Sequence, residues 1–182
     1  MFIQTEATPN PLTLKFIPGV DVMGTGTAFF TNLQDAKLSP LATSLFYTPG
    51  VTAIFLGSDF VTITRGVDDS WDAMKPSLLT TIMDHFVAGK PVMLEVGGAA
   101  VSDANDSDIV KQIKELIETR VRPAVAQDGG DIIFRGFEDG IVQLELHGSC
   151  SGCPSSTITL KNGIENMLKH YVPEVVAVEA VV

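Results

Sequence analysis

Residues 140–171 read GIVQLELHGSCSGCPSSTITLKNGIENMLKHY. The first part, IVQLELHG, has the composition of a strand and leads directly into Cys150 and Cys153. Pro154 follows at a position that suits the first turn of a helix, where a missing N–H is no loss. Leu160, Ile164, Met167, Leu168 and Tyr171 then recur at helical spacing until Pro173 stops the pattern. The two cysteines are therefore expected where a strand ends and a helix begins.

Working outward, DIIFRGF before this stretch reads as a second strand, joined to the first by the turn signal Glu138-Asp139-Gly140. Upstream, Ile109, Ile113, Leu116, Ile117, Val121 and Ala124 fall at helical spacing, and Pro123 with Gly129-Gly130 is expected to end that helix. Downstream, VVAVEAVV closes the chain as a strand. The order α-β-β-α-β implies an α+β domain with its helices on one face of a sheet.

Residues 96–107, VGGAAVSDANDS, hold only small and polar side chains and read as a linker. Its acidic end lacks the glycine and terminal glutamate of an EF-hand calcium loop. The expected organisation is two small α+β domains, 1–95 and 108–182, on either side of it. In the first, FIQTEA and LTLKFIP read as strands on either side of Pro9 and Pro11, and TAFFTN as a third. SPLATSLFYT reads as a helix with Ser39 as N-cap and Pro40 at its first position. VTAIFLG and DFVTITRG read as a hairpin about Gly57 and Ser58. Trp71, Met74, Leu78, Ile82 and Phe86 mark one face of a helix from Ser70 to about Val87, with Pro76 as a source of a kink or a late start.

The 182 residues carry a net charge of −10, and each half carries about −5, so no basic arm is available for a phosphate backbone and nucleic acid is not an expected partner. No apolar run is long enough to cross a membrane. The start, MFIQTEATPNP, has neither the pattern of a secretory signal nor the arginines of a transit peptide, and a cytoplasmic location is expected. In a reducing compartment two cysteines point to redox or metal chemistry before a structural disulfide.

At a helix N-terminus the free N–H groups and the helix dipole favour thiolates at Cys150 and Cys153, and would favour an anionic metal–thiolate group as well. Gly148 and Gly152 allow the backbone a close approach to a bulky inorganic core, or simply meet the needs of a loop. Iron–sulfur clusters take four cysteine ligands and structural zinc takes four Cys/His ligands. One chain supplies two cysteines, and two chains about a two-fold axis supply four. A site shared in this way opens by ligand exchange, which suits a carrier. His147 is a nearby further donor, but a local hydrogen bond is its simpler use. His85 and His170 read as surface or half-buried helical residues. Asp128 and Asp131 around Gly129-Gly130 invite a metal or acid–base reading, and a turn with left-handed glycines and a capping aspartate explains them more simply. Two readings from other classes remain: a thioredoxin-like thiol–disulfide oxidoreductase and a zinc-bridged structural dimer. A thioredoxin dithiol belongs after an early strand, whereas this one has a single strand to follow.

These residues also carry a resemblance. RPAVAQDGGDIIF and DGIVQLELHGSCSGCPSSTITLKNGIENMLKHYVPEV resemble the NifU C-terminal domain, through D-G-G-D at 128–131, G-x-C-x-x-C-P-S-S at 148–156 and T-L-K-x-G-I-E at 159–165. MFIQTEATPNPLTLKF, SPLATSLF and GSDFVTITR resemble the Nfu N-terminal domain. The resemblance implies a non-enzymatic scaffold or carrier that holds a [4Fe–4S] cluster at a homodimer interface through Cys150 and Cys153. It would accept the cluster from an upstream assembly scaffold and pass it to apo iron–sulfur proteins. The two cysteines alone do not separate [2Fe–2S] from [4Fe–4S]. The cysteine-free N-terminal domain is expected to help recognise partners.

Overall fold

The structure is a computed structural model that describes residues 1–94, 106–151 and 154–181. The chain divides into two compact units, Met1–Gly98 and Ala99–Val182.

In the first unit, five antiparallel strands lie in the order β1-β2-β5-β4-β3. They are β1 (Gln4–Ala7), β2 (Thr13–Ile17), β3 (Ala28–Phe30), β4 (Val51–Leu56) and β5 (Val61–Arg65). Their register lines up Leu14, Ile63, Ile54 and Phe30 in one row across the sheet, and Phe16, Val61, Leu56 and Ala28 in another. Side chains alternate along a strand, so both rows share a face, and they form one core with Leu41, Leu45, Leu78 and Ile82. Those four come from α2 (Pro40–Phe46) and α3 (Trp71–Val87); a short α1 (Leu33–Ala36), which the sequence pattern does not announce, precedes them. The Ser39 hydroxyl accepts the Ala42 N–H, as an N-cap should, and also donates to the Val92 carbonyl at 2.5 Å. Helix α3 starts at Trp71 and carries Pro76 within it. His85 is only 3% exposed, because it continues the buried stripe of Met74, Leu78 and Ile82; it is neither a surface nor a half-buried residue.

In the second unit, α4 (Asp108–Leu116) passes through a π turn (Ile117–Val121) into α5 (Arg122–Gln127). Of the two stops expected for this helix, Gly129-Gly130 lies just past its end at Gln127, while Pro123 does not end it. Proline has no N–H and its ring crowds the carbonyl four residues back, so the wider turn just before it accommodates both. The buried stripe becomes Ile113, Ile117, Val121 and Val125, while Ala124 faces outward. Strands β6 (Gly130–Glu138) and β7 (Ile141–Gly148) form a hairpin closed by Asp139 and Gly140, both at positive φ. Helix α6 (Pro154–Tyr171) leads to β8 (Ala177–Val181), which pairs parallel to β7 and completes the order β6-β7-β8. This α-β-β-α-β unit packs Ile132, Val142, Leu144 and Val178 of the sheet against Ile113, Ile117, Ile164 and Leu168. Tyr171, expected in that core, is 41% exposed; Val172 takes the buried position and the Tyr171 ring lies 4.8 Å from the Arg120 guanidinium.

Candidate metal-cluster site

The end of the β6–β7 hairpin builds the site. Gly130 faces Gly148 across the ladder, and Asp131 faces His147. Gly129 and Gly148 both lie at positive φ, near 79° and 65°, where a side chain would be strained. Gly130 does not. Its role is space: a Cβ there would stand 2.4 Å from the Cys150 sulfur and 2.9 Å from the His147 carbonyl oxygen. The left-handed turn expected for both glycines therefore holds for Gly129 alone, and Gly130 is the floor on which Cys150 rests.

Hydrogen bonds fasten the cysteine loop to this floor. The Ser149 N–H donates to the Gly129 carbonyl at 3.2 Å, and the Ser149 hydroxyl donates to the Asp128 carbonyl. The Ser151 N–H and hydroxyl both donate to the Gly148 carbonyl. One turn into α6, the Thr157 hydroxyl donates to the Cys150 carbonyl at 3.2 Å. Helix α6 begins at Pro154, as expected. Cys153, the second expected ligand, and Gly152 lie outside the described residues, as does most of the expected linker. Of that linker, Asp106 pairs with Lys114 at 2.5 Å and Ser107 caps α4.

Cys150 is 6% exposed. Burial pushes its thiol up to about 12; a hydrogen bond from Ser149 works against this, and the carboxylates of Asp128 and Asp131 add to it. The expectation of a readily formed thiolate is thus reversed at Cys150. Desolvation and two nearby carboxylates outweigh a helix that starts only at Pro154.

Asp131 is 3% exposed and its charge is met on both oxygens. Arg122 donates from Nε to Oδ1 at 2.7 Å and from Nη2 to Oδ2 at 2.8 Å, and the Ile132 N–H donates to Oδ1 at 2.8 Å. Arg122 also reaches Glu118 at 2.5 Å from one turn earlier. Asp131 is therefore a structural anchor rather than a caller for metal. On the next strand the His147 Nε2 lies 2.7 Å from a Glu145 oxygen. His147, burial in the opposite sense and Arg135 set the Glu145 carboxyl, which is held below the usual range. His147 thus makes the local hydrogen bond expected of it. Arg122, Ser149 and Thr157 were not singled out by their spacing; Arg122 and Ser149 act through bonds to Asp131 and Asp128, which they meet only once the chain folds back. Among the described residues no three His, Cys, Asp or Glu side chains form a group able to hold a metal ion, and no helix is long and apolar enough to cross a membrane.

Two family models match the chain: "Scaffold protein Nfu/NifU N terminal" over residues 3–89 and "NifU-like domain" over residues 113–179. The chain is 54% identical to "NifU-like protein 4, mitochondrial" of Arabidopsis thaliana, over 98% of this chain and 65% of that protein. It is 53% identical to "NFU1 iron-sulfur cluster scaffold homolog, mitochondrial" of Homo sapiens, over 100% of this chain and 72% of that one. It thus spans about two thirds of the length of these relatives. A solution NMR structure of a NifU-like protein from Saccharomyces cerevisiae matches with a TM-score of 0.48 and 26% identity, over 53% of this chain and 87% of that one. Both named relatives are mitochondrial, which overturns the cytoplasmic expectation. An address peptide is read apart from the folded domains, so the composition of these residues carries no information on compartment.

Proposed function

We propose, for a chain that belongs to the NifU/Nfu family of iron–sulfur cluster scaffold proteins, that Cys150 and Cys153 hold a [4Fe–4S] cluster jointly with the same pair of a second copy. The chain acts as a carrier rather than an enzyme: it receives the cluster from an upstream assembly scaffold and hands it to apo iron–sulfur proteins. The observation that carries this reading is Cys150 seated on the bare Cα of Gly130, at the mouth of the loop that opens α6.

The chemistry is ligand exchange at sulfur. A thiol must lose its proton to bind iron and regains one when it lets go. An acceptor cysteine gives up its proton, its sulfur bonds to the iron that Cys150 leaves, and Cys150 takes a proton in its place. No electrons change hands. Two ligands per chain leave the rest of the coordination to the partner copy, so exchange at one or two sulfurs opens the dimer. The place of Cys150 in the chain argues against a thiol–disulfide oxidoreductase: a thioredoxin dithiol follows an early strand, and here Cys150 follows β7 with β8 still to come.

Anaerobic reconstitution with iron and sulfide, followed by metal and sulfide analysis and Mössbauer spectroscopy of the dimer fraction, tests the reading. The expected result is about four irons and four sulfides per dimer, lost in Cys150→Ser and in Cys153→Ser chains that remain folded. A colourless monomer whose thiols cycle reversibly with a disulfide would withdraw it.

A further inference from the structure

Arg122 donates to Asp131 and Glu118, and a short path joins it to Cys150. Its guanidinium forks onto both oxygens of Asp131, which is almost wholly buried. Asp131 follows Gly130, the first residue of β6, and the Cys150 sulfur has no room beyond the Cα of Gly130. The backbone on the other side of that glycine is held as well, since the carbonyls of Asp128 and Gly129 receive the Ser149 hydroxyl and N–H. The turn beneath the sulfur is therefore fixed at one end by the cysteine loop itself and at the other by a bidentate ion pair. An arginine fork fixes direction as well as distance, which a lysine does not.

Resting on the cluster reading above, we propose that Arg122 is a positioning residue for the site. By clamping Asp131 it holds Gly130 in the one place that lets Cys150 sit at the depth and angle from which it binds the cluster. Supporting residues of this kind, one step removed from a metal ligand, typically change metal affinity by roughly 10–100-fold.

The experiment uses the full chain with Arg122→Lys, Arg122→Gln and the double change Arg122→Gln with Asp131→Asn. Circular dichroism establishes that each is folded. Two quantities are then read. The first is the rate at which iodoacetamide alkylates Cys150 in unloaded chains that also carry Cys153→Ser. The second is the half-life of the reconstituted cluster in chains that keep both cysteines, in the presence of an iron chelator. Both single variants should alkylate faster and lose the cluster roughly tenfold sooner, Arg122→Lys included, because it keeps the charge and loses the fork. The double variant should regain neither. Wild-type alkylation and half-life in a folded Arg122→Lys chain would overturn the proposal. So would full recovery in the double variant, which would leave only the unopposed carboxylate to explain the effect. A wild-type chain that takes up no cluster would instead defeat the cluster reading, while the alkylation rates would still decide whether Arg122 positions Cys150.

Discussion

The two units bury polar groups in different ways. In the first, Asn10, Thr13, Ser39, Thr62 and His85 are scattered through the structure. Where their partners are seen they close local structure: Asn10 accepts the Leu12 N–H in a turn, Ser39 caps α2, and Thr13 meets Thr64 across the sheet. In the second, Asp131, His147 and Ser149 gather at one end of the hairpin, around Cys150. Burying polar groups together is costly unless each finds a partner. A unit with a small three-stranded sheet that nonetheless concentrates them at one point is organised around that point. The first unit is organised around its core.

That contrast can be broken by paired substitutions. Leu78→Ala removes a fully buried side chain from the first core and should cost about 2–5 kcal/mol of stability, with no change in cluster uptake at Cys150. Gly130→Ala places a methyl group against a sulfur and a backbone carbonyl and should cost about 1–3 kcal/mol, with uptake abolished. Urea midpoints and iron per chain measure both. Uptake that followed stability in both variants would erase the distinction between the units.

A second test sharpens it through pH. In a folded Cys153→Ser chain, alkylation of Cys150 should be very slow at pH 8 and rise only as pH approaches 12. Stability should follow the same group. Between about pH 9 and about pH 12 an unfolded thiol has lost its proton while the folded one keeps it. The folded state then binds more protons, and stability falls as pH rises through that window, while below it the contribution is fully present. Cys150→Ser should remove this part of the pH dependence, measured by urea midpoints across the range.

The smallest effect separates glycines with a task from those without. Gly163 lies inside α6 with open space where its Cβ would be. Gly163→Ala should stabilise the chain by about 0.5–1 kcal/mol through helix propensity and a less free unfolded state. Cluster uptake should be unchanged, with thermal melting and iron analysis as the readouts.

Much of this organisation was visible in the residues. The hairpin at Glu138-Asp139-Gly140, the N-cap at Ser39 and the start of α6 at Pro154 are set by near neighbours, and each lies where local chemistry put it. The expectations that failed depended on distant ones. Pro123 sits in a continuous helical stretch because a π turn and a buried stripe hold it there. His85 is buried because it continues the buried stripe of α3 and the chain after the helix, at Lys90 and Pro91, folds back beside it. The thiol of Cys150 was expected to ionise readily from its place beside a helix, but its proton affinity depends on what surrounds the sulfur, including residues of another turn.

The sequence by itself determined the α-β-β-α-β order, the pairing of two cysteines before a helix and the fact that the chain holds no third cysteine. Periodicity, turn chemistry and spacing are properties of short segments, and they survive without knowledge of the fold. Only the tertiary structure decided that Cys150 is buried on Gly130, that Arg122 forks onto Asp131 and that β8 runs parallel beside β7. Those facts arise when segments far apart in the chain exclude water from the same place, and the free energy of a charge, a proton or a methyl group there depends on all of them at once.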